Sequence, residues 1–570
     1  MTVNSRSSAT IAKEPKTAFY RYFLIFIAGV GGLLYGIDVG IIAAALLYLG
    51  KTVNLTVAQT SIIVAAVLGG SMLSSPAGGV LADWFGRKKI MILSGVMFVA
   101  SVVIIVVSQG FIPLFLGRLL QGLSGGIIAV VVPLYLAETL DANMRGRGTA
   151  IFQFMLTFGI VMASLIGFYY THQAEAAIAA AAGDATRILA AENHAWRGMF
   201  LAVVFPGILF FVGSFFLSET PRWLFRRGRS ADALRALRRS TSEEEAELEL
   251  AEMQAIANES KEKAAATESG SLLRRKYIIP FVLACVILTL NQTTGINSVL
   301  AFLVIILKQA GMTATHATQG DLVVKVLNCV MTLVAVALVD KKGRKFLLRL
   351  GTGGIVLAFL AAGALFYGFE SKHVDVKARV QAAVRGNRVD MPVDSGTLGA
   401  GPAGRTMVLS VLYNYGHGDH MATILTDTPQ PVLEIAPEPD HKDAPLTIER
   451  ARYGPVPPPS TGWLITLCLA VFISCYGAGP GVVVWLTLSE LMPTRIRSMG
   501  MGIALLLNQG ASALIAGVFL PVVGRYGYYA MFLFWGGCTV FYFLTATFYL
   551  PETKGKTLEE IELYFEGARP

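Results

Sequence analysis

The chain has 570 residues, 54% of them hydrophobic and 15% charged, with a mean hydropathy of +0.59. A soluble globule of that length does not carry so much apolar surface, so composition places the chain in a bilayer. The net charge of +9 would suit a nucleic-acid partner, but the basic residues fall in alternate loops between apolar segments, which excludes that class.

In chain order, about twelve apolar segments are long enough to cross a hydrocarbon core of roughly 30 Å. They lie near 18–46, 57–82, 89–109, 112–137, 149–170, 197–217, 277–308, 318–339, 346–369, 461–490, 498–524 and 527–550, and are called spans 1 to 12. Span 1 lacks a small-residue cleavage site and is too long for a signal h-region, so it is expected to persist. The 58 glycines, against a usual share of roughly 7%, suit closely packed membrane helices. DWFGRKK (83–89), MRGRG (144–148), PRWLFRRGR (221–229), DKKGRK (340–345) and TRIRS (494–498) follow spans 2, 4, 6, 8 and 10. The positive-inside rule makes these loops and both termini cytoplasmic, with a cell (inner) membrane the expected location. All five cysteines fall within predicted spans, so no disulfide framework is implied.

Self-similarity divides the chain. Asp83-Trp84-Phe85-Gly86-Arg87-Lys88 recurs as Asp340-Lys341-Lys342-Gly343-Arg344-Lys345. Glu138, seven before Arg145, recurs as Glu490, seven before Arg497, and SETPRW around Glu219 and Arg222 is matched by PETKGK around Glu552. Three matches in one order imply two six-helix halves, the repeat architecture of many secondary transporters. The predicted organisation is an N-terminal bundle at 1–217, a cytoplasmic helical linker at 218–276, a C-terminal bundle at 277–550 and a cytoplasmic tail at 551–570. Asp83 and Glu138 are 55 residues apart and Asp340 and Glu490 are 150 apart, so the second half carries an insert, at about 370–460. Rich in Pro, Gly and charge, it cannot cross a membrane and should lie outside. The Ala-rich stretch 172–195 reads as a second outer loop, and ALRALRR and EEEAELELAEMQAIA as short amphipathic helices of the linker.

GGVLADWFGRKK, GRLLQG, PLYLAETLDANMRG, SETPRWL, NQTTGIN, VDKKGRK, LSELMPTRIRS and PETKGKTLEEI occur in one order across nearly all of both halves. Together they resemble the sugar porter family of the major facilitator superfamily. The resemblance implies an all-α membrane fold of twelve helices in two pseudo-symmetric bundles. It also implies a midplane sugar site, alternating access, no cofactor and a chain that works as a monomer.

The paired loop motifs have a physical reading of their own. Asp83, Glu138, Glu219, Asp340, Glu490 and Glu552 lie near Arg87, Arg145, Arg222, Arg344 and Arg497 at the cytoplasmic helix ends, where ion pairs could hold the two halves together until the site opens inward. The alternative is ordinary positive-inside residues and helix caps, since exposed pairs contribute only about 0–1 kcal/mol each.

Asp38 is the only charge between Arg21 and Lys51. Counting from the predicted outer ends of spans 1 and 4 puts Asp38 and Arg118 at roughly 12 Å and 9 Å depth, so the two could meet. An intramembrane charge faces the bundle interior, pairs, and by default marks an ion or proton path; the alternative is a static pair fixing span 1 to span 4. Burial favours the protonated form of a carboxylate and a neighbouring Arg the ionised form, so modest movement could switch such a group. In similar sugar/proton symporters an Asp and an Arg occupy these motif positions.

A sugar site needs amides that donate and accept, plus an aromatic wall. Gln292 and Asn297 on span 7 match the family's sugar-binding amides, as do Gln153, Asn328 and Asn508, and Trp485 matches its span 10 aromatic. Gly295, between Gln292 and Asn297, allows close approach or bending. Asn291 stands where the family has a glutamine, Ala301 and Phe302 where it has tyrosines, and Gln509 where it commonly has a tryptophan, so the site could be wider or more polar there. A hexose is the first choice, with a pentose or polyol open. Lys325, three residues before Asn328, is not part of the pattern; it could contact substrate, share the coupling charge with a carboxylate, or snorkel.

The remaining signals are weak. His417, Asp419 and His420, with His441 further on, are metal-type ligands in a polar loop that reads as solvated surface, and no metal is expected. NLT (54–56) fits a glycosylation acceptor. No catalytic constellation or nucleotide-binding motif appears, so the chain is expected to be no enzyme and to draw on a gradient. The expected function is a proton symporter importing a monosaccharide across the bilayer. A facilitative carrier and a non-transporting sugar sensor are the alternatives.

Overall fold

The structure, a computed structural model, describes residues 15–140, 142–265, 275–399, 406–426, 431–436, 444–492, 497–554, 560, 561, 564 and 565. The side chains of Arg145, Asp340 and Arg497, and His441 altogether, lie outside the described residues.

Among the described residues, twelve helices are long and apolar enough to cross a membrane: Phe19–Thr52, Val57–Phe85, Arg87–Val107, Phe111–Thr139, Ala150–Ala180, Ala185–Phe215, Tyr277–Gln309, Ala314–Val339, Arg344–Glu370, Pro459–Trp485, Gly500–Tyr526 and Tyr528–Phe548. These are spans 1 to 12, and the chain is a multi-pass integral membrane protein. Large apolar side chains such as Phe26, Leu116, Phe205, Leu357, Leu514 and Phe541 stay exposed. Lipid tails as solvent favour that arrangement, because nothing but packing drives such surfaces together.

Inside each half the helices approach closely at glycines. A Cβ on Gly36 would run into the Leu156 carbonyl of span 5, and one on Gly159 into the Leu33 carbonyl of span 1, so these two spans touch backbone to backbone. The halves meet along three seams, span 2 on span 11, span 5 on span 8 and span 1 on span 7. One end of the bundle carries the basic loops and the linker helices Pro221–Arg226, Ser230–Arg238 and Glu243–Ala265. It is called the basic face, and the opposite end the insert face.

The stretch 172–195 corrects the loop reading. It is helical, continuing the helix Ala142–Ala180 and opening Ala185–Ala202, with a tight turn at Ala182 and Gly183 between them. Alanine has the strongest intrinsic helix preference, and Asp184 caps the second helix by accepting the Thr186 and Arg187 N–H groups.

Among the described residues, the insert is the one β exception. Strands β1 (Val374–Asp375), β2 (Val389–Pro392), β3 (Met407–Asn414), β4 (Asp419–Leu425), β5 (Val432–Ile435) and β6 (Thr447–Pro455) form two antiparallel sheets, one in the order β1-β6-β3-β4 and the other pairing β2 with β5. They enclose their own core of Val380, Met391, Leu409, Val411, Leu433, Ile448 and Tyr453. Arg525 of span 11 pairs with Asp419 at 3.1 Å, and Gly418 lies against Thr56 at the start of span 2, so the insert touches both halves.

Candidate transport site

Span 7 supplies the site because it is broken. The chain leaves the helix Arg275–Thr293, turns through Gly295 at φ 75°, and resumes as Ile296–Gln309. That left-handed conformation suits glycine, and a Cβ there would also collide with the Trp535 indole, which packs flat against Phe519.

The break lets amides from both half-helices converge. Gln292 Nε2 donates to Asn508 Oδ1 at 3.2 Å, and Asn297 Nδ2 donates to Gln292 Oε1 at 3.0 Å and to Ser512 Oγ at 2.8 Å. Asn508 is itself fixed by donating to the Leu288 carbonyl at 2.9 Å. Asn291 donates to Tyr476 Oη at 3.2 Å, while its own Oδ1 is buried with no partner among the described residues. Gln509 reaches Tyr35 Oη of the other half at 3.5 Å. Such a chain of donors and acceptors can exchange its internal bonds for the hydroxyls of a polyhydroxylated ligand.

Three expected members stand apart from this network. Gln153 is half-buried on span 5, and Asn328 is buried beside Gly477. Trp485 is 41% exposed, on the short helix Pro480–Leu491 that follows a second break at Gly479. Phe302 does not widen the site, because it is fully buried and stacks on Phe519 at 4.4 Å. Tyr35, Tyr476 and Ser512 were not among the expected residues; each lies on a span carrying one that was, and a turn-by-turn search of those spans for hydroxyls would have flagged them.

Among the described residues, two ion pairs lie in the membrane interior. Arg118 Nη1 donates to Asp38 Oδ1 at 3.2 Å and to Gln121 Oε1 at 2.7 Å, and its guanidinium lies 5.6 Å from the centre of the Phe200 ring. Asp38 and Arg118 are 0% and 1% exposed. Asp38 Oδ2 has no hydrogen-bond partner among the described residues. The contact is therefore single-pronged, with one carboxylate oxygen free and an arginine held in place by groups other than Asp38. Span 1 runs on to Thr52, which leaves Asp38 deeper than its sequence position suggested, but the expected partner is the observed one.

The second pair answers what Lys325 does. It is fully buried, and its Nζ lies 2.9 Å from both oxygens of Asp321, one turn earlier on span 8. Asp321 was missed, although a carboxylate four residues before a buried lysine is a readable pairing signal.

On the basic face the two halves repeat one design. Arg87 pairs with Glu138 at 2.8 Å and Arg344 with Glu490 at 2.9 Å. The second oxygen of each glutamate takes a threonine hydroxyl at 2.6 Å, from Thr220 and Thr553 respectively. Glu219 accepts the Arg87 and Lys88 N–H groups at the start of span 3, and Glu552 those of Arg344 and Lys345 at the start of span 9. Burial pushes the Glu219 carboxyl above its ordinary value, against the pull of these backbone donors. Asp83 accepts from Arg87 at 2.7 Å, and Arg222 has a buried Nε without a partner among the described residues. These described pairs join helices within one half, rather than one half to the other as expected. The reason is geometric: each arginine opens the third helix of its own half, beside the fourth helix's end.

A family model described as "Sugar (and other) transporter" matches residues 24–384 and 450–565. The chain belongs to this transporter family. The interval the model passes over coincides with most of the β insert. The chain is 28% identical to the glucose transporter GlcP of Staphylococcus epidermidis, over 95% of this chain and 96% of that one. It is 26% identical to the human proton myo-inositol cotransporter, over 97% and 83%. A solved structure of the xylose transporter XylE from E. coli, in a partially occluded inward open conformation, superposes with a TM-score of 0.66 at 21% identity, covering 95% of this chain and all of that one. The relatives are transporters, and so is this chain, rather than an enzyme. In the described insert, Asp419 is engaged by Arg525 and Asn414 and His420 stacks on Tyr413. Among the described residues no group of three His, Cys, Asp or Glu is placed to hold a metal ion.

Proposed function

We propose that the protein is a proton symporter that imports a monosaccharide, a hexose first, by alternating access, with its basic face and both termini on the cytoplasmic side of a cell membrane. The observation that carries the reading is the buried Asp38–Arg118 contact, with one carboxylate oxygen free and Arg118 independently held by Gln121 and Phe200. A proton can add at Oδ2 without displacing the arginine. Asp38 takes that proton from outside, Gln292, Asn297 and Asn508 exchange their mutual bonds for sugar hydroxyls, the halves rock, and Asp38 releases the proton inside. Arg118 favours that release by stabilising the carboxylate. The glucose and proton myo-inositol transporters among the relatives support both a hexose and a cyclitol, and the amide network suits either.

The test is uptake of a labelled panel of hexoses, pentoses and polyols into proteoliposomes, with and without an inward proton gradient. Accumulation of one of them only with the gradient is expected, and Asp38→Asn should abolish accumulation while sparing exchange. Accumulation that persists in Asp38→Asn overturns the coupling role, and equilibration without accumulation in the parent indicates a facilitative carrier.

A further inference from the structure

Asp321 and Lys325 do more than neutralise each other, because each also bonds to the opposite half. Ser164 Oγ of span 5 donates to Asp321 Oδ2 at 2.6 Å, and Lys325 Nζ donates to the Gly40 carbonyl of span 1 at 3.2 Å. The Lys325 and Asp321 side chains are 0% and 2% exposed, so the bonds lie in the low-dielectric interior, where added hydrogen bonds help offset the cost of burying an ion pair. Gly40 and Ser164 belong to one surface: a Cβ on Gly40 would sit 2.7 Å from that of Ala163, the neighbour of Ser164. Span 8 therefore grips spans 1 and 5 together.

Other described bonds across the seam are weaker. Thr157 to Cys329 and Gln509 to Tyr35 are both 3.5 Å long, and Ser61 to the Leu520 N–H is neutral. Only the span 8 pair brings charge to the seam in these bonds, and charge-assisted hydrogen bonds are roughly twice as strong as neutral ones. Asp321, seven residues from the insert-face end of span 8, and the Ser61–Leu520 contact lie on the side that separates when a transporter of this architecture opens outward, whereas Thr157–Cys329 and Gln509–Tyr35 lie at mid-bundle or nearer the basic face.

We infer that Asp321 and Lys325, with Ser164 and the Gly40 carbonyl, form a tie that holds the outer side shut and is released once in each transport cycle. The inference rests on the proposed orientation and on rocking of the halves, and needs neither a particular sugar nor proton coupling. Opening outward pulls spans 1 and 5 from span 8, so Asp321 loses a hydroxyl and Lys325 a carbonyl while the pair stays on its own helix. Asp321 and Lys325 are thus positioning residues: they set how often the site faces out, not what it binds.

The experiment reads outer-side opening directly. In protein whose five native cysteines are replaced by serine, Ser61→Cys places a thiol at a fully buried cross-half contact near the insert face. Its reaction rate with a membrane-impermeant maleimide is measured without sugar or proton gradient. Ser164→Ala should speed labelling about fivefold, and the neutral double variant Asp321→Asn/Lys325→Gln, which leaves no unpaired charge, at least about tenfold. Ser164→Thr, which keeps the hydroxyl, should label at the parent rate. Rates within twofold of the parent for Ser164→Ala overturn the tie even if the double variant fails to assemble, and so does equal acceleration by Ser164→Thr. Failure of the sugar or proton assays leaves this labelling result standing, so the two readings fail separately.

Discussion

The two buried ion pairs invite comparison because they are chemically alike and mechanically opposite. Asp38 and Arg118 both belong to the N-terminal half, so rocking the halves carries the pair along intact. Asp321 and Lys325 sit on one helix of the C-terminal half but share hydrogen bonds with spans 1 and 5, so the same motion changes their surroundings. Each carboxylate keeps one oxygen without a hydrogen bond among the described residues, but that of Asp321 still lies 2.9 Å from the Lys325 ammonium, whereas Asp38 meets Arg118 through its other oxygen. Charge in a membrane protein can thus report either chemistry or geometry, and the location of its partners decides which.

Four measurements bear on this contrast, from the largest effect down. Arg118→Leu leaves Asp38 buried without its cation, and removing one partner of a buried pair costs about 3–5 kcal/mol. Folded protein recovered from membranes should fall severely, by size-exclusion yield and thermal unfolding. Lys325→Met should cost less because Asp321 keeps the Ser164 hydroxyl; a worse loss for Lys325→Met would reverse the ranking. Next, Asp38→Asn should lower the gradient-driven accumulation ratio about tenfold or more, whereas Asp321→Asn/Lys325→Gln should change the rate of uptake and leave the ratio near that of the parent.

On the basic face the repeated motifs allow a third contrast. The Arg87 side chain is 2% exposed and that of Arg344 is 12%, so Arg87→Ala should lower the unfolding temperature more than Arg344→Ala. Equal losses would mean that burial is not what separates the halves. The smallest effect concerns Glu219. Its folded-state carboxyl is raised above an ordinary 4.5, so the folded protein holds that proton more tightly than the unfolded chain. The associated stability is fully present below that ordinary value and is lost as pH rises through the raised one. Glu219→Gln should remove this part of the pH slope in thermal unfolding, and an unchanged slope would assign it to other groups.

Much of the site was legible because depth and pairing are visible in a sequence. A lone carboxylate in span 1 and an arginine in span 4 pointed to each other before any coordinates did, and the NQTTGIN stretch announced both its amides and its glycine break. Asp321 escaped because it lies near the predicted start of span 8, where a charge reads as interfacial. Its pairing with Lys325 is local, but its significance comes from Ser164 and Gly40, distant in sequence and brought together by helix packing. Trp485 matched a motif but is not enclosed, since exposure depends on the break at Gly479. The Ala-rich stretch was misread because low polarity over a short window does not distinguish a connector from a helix extension. The insert's Pro, Gly and charge hid strands as short as two to nine residues.

That insert has a consequence of its own. β1 follows directly on the end of span 9, β6 leads into span 10, and the two pair side by side, Val374 with Tyr453. The polypeptide leaves the bundle and returns to it at nearly the same point, so the whole folded excursion hangs from a two-stranded stalk. Beyond that stalk the module also leans on the helices, Asp419 on Arg525, Arg450 on the Gly524 carbonyl and Gly418 against Thr56. The module can therefore be treated as a cassette rooted at one place, where a reporter, an affinity handle or a foreign domain could be seated at the cost of those few contacts.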